Sequence, residues 1–143
     1  MENSSFNRLI GVWKTSGIIK AGQENLTLSG IDSYELILEG NFILHKADVK
    51  MGNERSETFE IIKPDNSMDR AIMQYFNTKG EEGRMHSSIV NNEFRIDGNG
   101  LKFTGTINEE NTEITGKWYI QAENEKWTDL IELILEKQST PTR

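Results

Sequence analysis

The sequence contains no cysteine, only two prolines and only two histidines in 143 residues. Without cysteine the chain has no disulfide, no thiol nucleophile and no thiolate ligand for zinc or an iron–sulfur cluster. Positive charge is also scarce, since 16 Lys and Arg stand against 23 Asp and Glu, a formal net charge of −7. Binding to nucleic acid or to an anionic membrane surface requires clustered positive charge. We therefore expect neither nucleic acid nor membrane among the partners of this protein.

Long hydrophobic segments are absent as well. The longest apolar runs are very short, such as residues 36–38 and 42–44, whereas a membrane-spanning helix needs about 20 apolar residues. Residues 1–10 include Glu2 and Arg8, where a secretion signal would have an apolar stretch. These features predict one domain over residues 1–143, located in the cytoplasm.

Most of the chain alternates between apolar and polar residues with a period of two, the pattern of strands with one buried face. About ten such runs are separated by short turn segments, most clearly Asp97-Gly98-Asn99-Gly100, because glycine and asparagine tolerate positive φ. A row of hairpins leaves two unpaired edges, and closure removes them. The sequence therefore predicts an all-β fold: a single antiparallel up-and-down barrel of about ten strands. A flat sheet or a sandwich is the alternative.

The two ends of the chain have a different pattern. Ser5 is a candidate cap for a short helical turn that carries Phe6 and Leu9 and stops at Gly11. Near the other end, residues 127–135 fit helical spacing as well as strand spacing. The element over 125–137 is therefore either a last strand or a helix packed on the barrel.

The segment Leu9-Ile10-Gly11-Val12-Trp13 resembles the glycine–tryptophan signature of lipocalin-type barrels. The wider layout is similar to lipocalin-like bacterial domains of the DUF1579 kind, and the segments that carry this likeness are Leu38-Glu39-Gly40-Asn41-Phe42, Gln74-Tyr75-Phe76-Asn77-Thr78-Lys79-Gly80 and Gly116-Lys117-Trp118. The resemblance covers nearly the whole chain. It implies a closed or nearly closed barrel whose C-terminal element is a strand, and it implies no particular ligand or reaction.

Two further features of related barrels bear on this chain. Lipocalins place a basic residue late in the chain over the first tryptophan, and Lys126 and Lys137 are the candidates here. Haem-binding barrels of the nitrobindin kind use a late histidine as the iron ligand, but this chain has no histidine after His86. We expect no cofactor.

A ten-stranded barrel is wide enough to enclose a cavity, and such cavities are mostly apolar with a few polar groups that orient a ligand. The alternation predicts ligand-binding residues at Trp13, Tyr34, His45, Met73, Tyr75, Phe103, Trp118 and Trp127. The alternative is that these side chains only fill the core, above all Trp13, which in such folds closes the barrel floor. The favoured interpretation is a protein that binds a small, mostly apolar molecule.

Candidates for chemistry are few. His45 and His86 could act as a base near neutral pH, and Glu57, Glu60 and Asp129 lie within predicted strands, with Arg84 or Arg70 as candidate partners. No His-x-His or His-x-x-x-His spacing indicates a metal site. We expect no metal and assign no catalytic residue.

Two other functions remain open. One is a small isomerase or hydrolase, which requires a histidine and a carboxylate within hydrogen-bond reach inside the cavity. The other is an interaction module whose outer apolar residues, Ile18, Ile37, Ile72 and Phe76, form a contact between copies. The predicted oligomeric state is a monomer or a homodimer.

Overall fold

The computed structural model describes residues 3–20 and 22–139, and the remaining residues of the predicted 1–143 domain lie outside this description. Ten antiparallel strands form one closed barrel, in which each strand pairs with the next and the first pairs with the last. A short 3-10 turn at Ser5–Leu9 precedes them. The strands are β1 (Gly11–Ile19), β2 (Leu26–Ile37), β3 (Phe42–Met51), β4 (Glu54–Pro64), β5 (Arg70–Asn77), β6 (Glu82–Val90), β7 (Glu93–Gly98), β8 (Leu101–Ile107), β9 (Glu113–Gln121) and β10 (Trp127–Lys137). The predicted up-and-down barrel with an N-terminal helical turn is confirmed.

The last element is a strand. β10 pairs with β9 on one side and with β1 on the other, so its backbone groups complete two ladders at once. A helix satisfies its hydrogen bonds internally and would leave both neighbouring strands with unpaired edges. The helical alternative for this segment is therefore wrong, as are the flat sheet and the sandwich.

The 3-10 turn closes one end of the barrel. Ser4, rather than the predicted Ser5, caps it, because the Ser4 hydroxyl oxygen accepts a hydrogen bond from the Phe6 N–H at 3.2 Å. Phe6 and Leu9 are fully buried. The Trp13 indole N–H donates to the Leu9 carbonyl oxygen at 2.8 Å, which satisfies a buried donor that would otherwise be costly. We call this closed end, formed by the turn and Trp13, the floor.

The Arg8 side chain connects the floor to two hairpin loops by hydrogen bonds. Its Nε donates to Asn111 Oδ1 at 2.5 Å and its Nη1 to the Asn91 carbonyl oxygen at 2.6 Å. Its Nη2 donates to Asn92 Oδ1 at 3.0 Å and to the Asn108 carbonyl oxygen at 3.1 Å. Charge-assisted bonds of this kind are stronger than neutral ones. One guanidinium thus links the turn to the β6–β7 and β8–β9 loops.

Lys137 is the basic residue over the first tryptophan. Its Nζ lies 4.8 Å from the centroid of the Trp13 ring, a distance at which a cation is attracted to the face of the indole. Burial lowers the pKa of Lys137. Lys126, the other candidate, lies in the β9–β10 loop at the opposite end of the barrel.

A row of aromatic rings leads from the floor towards the middle of the barrel. Ring centroids are 6.4 Å apart for Phe6 and Phe94, 5.4 Å for Phe94 and Phe103, and 5.4 Å for Phe103 and Trp118. A Cβ on Gly116 would lie 2.4 Å from the Phe103 ring. The ring can therefore pack against β9 at this position because glycine has no side chain. The rest of this core is mostly aliphatic: Ile43, Ile62, Ala71, Met73, Met85, Ile89, Ile107, Ile114 and Leu135.

Replacing Trp13 with alanine should lower the free energy of unfolding by about 3–5 kcal/mol, because it leaves a cavity in the floor. Urea denaturation measures the loss. The control is Trp127→Ala, since Trp127 is 39% exposed, and it should cost about 1 kcal/mol or less. Equal losses in the two variants would contradict the role given to Trp13.

Candidate ligand-binding cavity

Above the floor the barrel encloses a cavity of about 790 Å³, a volume in the range of small-molecule sites. Asn77, Glu81, Glu82 and Asn99 border it, so the cavity extends to the end of the barrel opposite the floor. We call this end the mouth. The walls between floor and mouth are mainly apolar: Leu28, Val49, Met51, Met85, Phe94, Ile96, Leu101, Phe103, Ile114, Trp118, Leu130, Ile131, Leu133 and Leu135.

The eight predicted ligand-binding residues occupy four different places: the cavity wall, the floor, the core and the outer surface. Five of them border the cavity, namely Tyr34, His45, Tyr75, Phe103 and Trp118, and their contact with a ligand stays a prediction. Trp13 belongs to the floor, and Met73 is 1% exposed within the core cluster. Neither of these two borders the cavity, because the aromatic row and the aliphatic core fill the barrel at their level.

Trp127 lies on the outer surface, which corrects the expectation that it faces the interior. The pairing of β10 with β9 shifts between Asp129 and Ile131, and this bulge reverses which face each side chain takes. Ile131 therefore borders the cavity, whereas the Lys102 Nζ lies 4.4 Å from the centroid of the Trp127 ring. The bulge leaves two adjacent apolar residues, Leu130 and Ile131, that both border the cavity, but this pair also fits helical spacing, so the sequence did not identify the bulge.

Neighbouring strands bring polar and aromatic side chains together at one level of the cavity. The register pairs Tyr34 with His45, His45 with Glu60, and Glu60 with Tyr75. Directly opposed residues point to the same face of a sheet, and Asp32 shares that face because it precedes Tyr34 by two positions. The barrel thus gathers two acids and a histidine from β2, β3 and β4.

His45 lies between two carboxylates. Its Nε2 is 2.6 Å from Asp32 Oδ1, and its Nδ1 is 2.9 Å from Glu60 Oε1. The hydroxyl of Thr15 donates to the second oxygen of Asp32. The Tyr34 ring stacks on the imidazole, with 4.1 Å between centroids and 6° between planes. The side chains of His45, Asp32 and Glu60 are 14%, 10% and 12% exposed, respectively. We call these three residues the acid–histidine cluster.

This environment changes the pKa values of His45 and Tyr34. Burial by itself lowers the pKa of His45, because desolvation disfavours the imidazolium. The hydrogen bonds to Asp32 and Glu60, together with their charges, outweigh burial and raise the pKa of His45 to about 10. Burial, followed by the charges of the same two carboxylates, raises the pKa of the Tyr34 phenol well above its ordinary value. At neutral pH the cluster therefore contains an imidazolium, and the adjacent phenol of Tyr34 is neutral.

The cluster meets the geometric condition of the enzyme hypothesis, since a histidine and a carboxylate are hydrogen-bonded inside the cavity. Both ring nitrogens of His45 bond to carboxylates of the protein, however, so neither is left to take a proton from a substrate. The second histidine, His86, is exposed on the outer face of β6 opposite Asp97. It lies outside the cavity.

The remaining candidate carboxylates also have defined places. Glu60 is held by His45 and not by Arg84 or Arg70, the partners expected from the sequence. Glu57 Oε1 lies 3.4 Å from Arg55 Nη2, and Asp129 Oδ2 lies 3.9 Å from Lys117 Nζ. Both are ion pairs at the surface. Pairs of this kind contribute little to stability.

Sequence reasoning missed Asp32 and Thr15. Both occupy inward positions of their strands, and Asp32 follows Leu28 and Gly30 on one face. A charged residue at an otherwise apolar period-two position was the signal that identifies it. In residues 3–20 and 22–139 no group of three or more His, Asp or Glu residues has an arrangement that could hold a metal ion. The same residues include no helix long and apolar enough to cross a bilayer.

The stability of the protein should fall as the pH rises from 7 to 9. The pKa of His45 is about 10 in the folded protein against 6.5 ordinarily. Protonated His45 therefore makes its full contribution to the free energy of unfolding below pH 6.5, and this contribution is lost as the pH rises towards 10. The slope should reach at most about 1.4 kcal/mol per pH unit, and urea denaturation at several pH values measures it. Tyr34 does not titrate in this window, because its pKa is raised above 10.0.

The two histidines provide the matched control for this pH dependence. His45→Asn should abolish the slope, whereas His86→Asn should retain it because His86 is exposed and outside the cluster. A His45→Asn protein with the slope of the parent would show that other groups cause the pH dependence.

No protein-family model matches the chain, and no curated protein matches it in sequence. Among solved structures, Rv2717c from M. tuberculosis superposes with a TM-score of 0.73 at 9% identity, covering 94% of this chain and 96% of that chain. The S-type phycobiliprotein lyase CPES from Guillardia theta superposes with a TM-score of 0.54 at 8% identity, covering 96% of this chain and 92% of that chain. Likeness at such low identity establishes the architecture alone, and with the closed ten-stranded sheet it identifies a lipocalin-like barrel fold.

Proposed function

We propose that this protein binds a small molecule inside the barrel, with most of the ligand against the apolar walls. The observation that carries the proposal is the cavity of about 790 Å³ between the floor and the mouth. Protein interiors are otherwise packed to crystal density, and the floor of this barrel is packed in that way. A cavity of this size above a filled core is what a binding protein needs, and barrels of similar width hold ligands inside.

The acid–histidine cluster supports binding in preference to proton-transfer catalysis. His45 is fixed by hydrogen bonds at both ring nitrogens and by the stacked ring of Tyr34. A side chain held in this way orients neighbouring groups, but it has no free nitrogen to act as a base. We therefore favour a role for the cluster in positioning a ligand.

The outer apolar residues give less support to the interaction module. Ile18, Ile37, Ile72 and Phe76 occupy outward positions on β1, β2 and β5. β2 and β5 are separated by two strands, so these four residues do not form one continuous patch.

Other parts of the proposal rest on structural likeness and on the sequence. The likeness of the barrel to a phycobiliprotein lyase is consistent with an interior that serves binding. The Gly11-x-Trp13 signature and the later segments support membership among the DUF1579-like domains. The cytoplasmic location and the monomeric or homodimeric state stay predictions.

Binding in the cavity can be tested with Nile red, a neutral apolar dye whose emission rises in apolar surroundings. We expect saturable binding by the native protein. Ala47 borders the cavity, so Ala47→Phe should fill part of it and weaken dye binding about tenfold or more.

The control variant is Ala122→Phe, which adds the same side chain at an exposed position of the β9–β10 loop. It should bind the dye as the native protein does, and thermal melting checks that both variants are folded. Absence of saturable binding, or equal weakening in the two variants, would overturn the proposed function.

A further inference from the structure

The charged side chains that border the cavity are almost all acidic. Asp32 and Glu60 lie in the interior, and Glu81 and Glu82 lie at the mouth. His45 is their single basic counterpart, and no lysine or arginine of the described residues borders the cavity. A concave surface that presents one sign of charge concentrates ligands of the opposite sign.

Basic residues of the same strands lie on the outside. The Lys46 Nζ is 5.6 Å from the centroid of the outward Phe59 ring. The Arg55 guanidinium makes two hydrogen bonds of 2.9 Å to Asp48, and it does so at the outer surface. On β3 and β4, acidic side chains therefore lie both inside and outside the barrel, whereas lysine and arginine side chains lie only outside.

Glu60 and Tyr34 each present to the cavity an oxygen that has no hydrogen-bond partner among the described residues. Glu60 Oε1 bonds His45, but Glu60 Oε2 receives no donor. Tyr34 is 7% exposed and borders the cavity, and its hydroxyl makes no hydrogen bond. Neither oxygen is among the described side-chain atoms that are shielded from solvent and lack a partner. Both therefore face the open space of the cavity, where they can accept hydrogen bonds from a ligand.

The charge balance of the acid–histidine cluster favours one kind of partner. Two carboxylates and one imidazolium leave a formal charge of −1 in a poorly solvated interior. A further cation near Glu60 would compensate this charge, which is costly to bury alone. The rings of Tyr34, Phe103 and Trp118 border the same cavity, and aromatic faces attract cations.

We propose that the ligand is an organic amine, protonated at neutral pH and attached to an apolar body. This inference rests on the proposed function, since it names the class of molecule that the cavity takes. The ammonium donates to Glu60 Oε2 and to the Tyr34 hydroxyl oxygen, and the apolar body lies against the walls. Fatty acids and other carboxylates are disfavoured, because no lysine or arginine borders the cavity in the described residues to pair with them.

Three ligands with one body and different head groups test the charge preference on the native protein. We would titrate 4-phenylbutylamine, 4-phenylbutanol and 4-phenylbutyrate by calorimetry at pH 7. The amine should bind about tenfold or more tightly than the alcohol, because a charge-assisted hydrogen bond replaces a neutral one. The butyrate should bind most weakly. Equal or tighter binding of the alcohol or the butyrate would overturn the inference.

Two variants of β4 locate the effect. Glu60→Gln should weaken amine binding about tenfold and leave alcohol binding within about twofold, since it removes the charge but keeps an acceptor for His45. Glu57→Gln removes the same charge from the outer surface, where the Glu57 side chain is 45% exposed, and should leave amine binding unchanged. Equal losses of amine affinity in both variants would attribute the preference to the net charge of the protein and overturn the assignment of the ammonium to Glu60.

The outcomes separate this inference from the proposed function. If Nile red binds but the amine does not, or binds no better than the alcohol, the amine proposal fails and cavity binding stands. If neither Nile red nor any of the three ligands binds, both proposals fail. Should Glu60→Gln not fold, the comparison of the three ligands on the native protein still decides the charge preference.

Discussion

The pairing of β1 with β10 is the constraint on which the rest of the structure depends. It joins the two ends of a ten-stranded ribbon, so every strand has two neighbours and alternate side chains are confined to one interior. The 3-10 turn and the aromatic row fill one end of that interior. No comparable plug fills the other end among the described residues, and the space that remains is the cavity. Floor and cavity are therefore two consequences of the same closure.

The acid–histidine cluster and Thr15 together link the polar interior to the register of four consecutive strands. Thr15, Asp32, His45 and Glu60 come from β1, β2, β3 and β4, one from each. A slip of one residue between any two of these strands would turn one partner to the outer surface. Between β2 and β3, or between β3 and β4, it would also leave buried charge unpaired. Such a slip is costly because an isolated buried charge is strongly disfavoured. The network thus favours the native alignment while it places an acidic group inside the cavity.

The distribution of charge matters more for this molecule than its total. The net charge of −7 does not say where the acids lie. The barrel places a few acids in a poorly solvated interior, where electrostatic interactions are stronger than in water, and leaves lysine and arginine of the described strands outside the cavity lining. The proposed preference for a protonated amine depends on that distribution of charge.

The sequence by itself determined the number of strands, the turns between them and the floor. Alternation and turn residues act over a few positions of the chain, which is why the hairpin at 97–100 and the Gly11-x-Trp13 segment were recognisable, and the inward positions of Tyr34 and Tyr75 followed from the same pattern. Only the tertiary structure decided which side chains meet, because the partners of His45 lie on other strands and are selected by register. It also decided the outward direction of Trp127, since a bulge depends on how β10 fits against β9. Local patterns specify the strands, whereas contacts across strands are set by closure of the whole sheet.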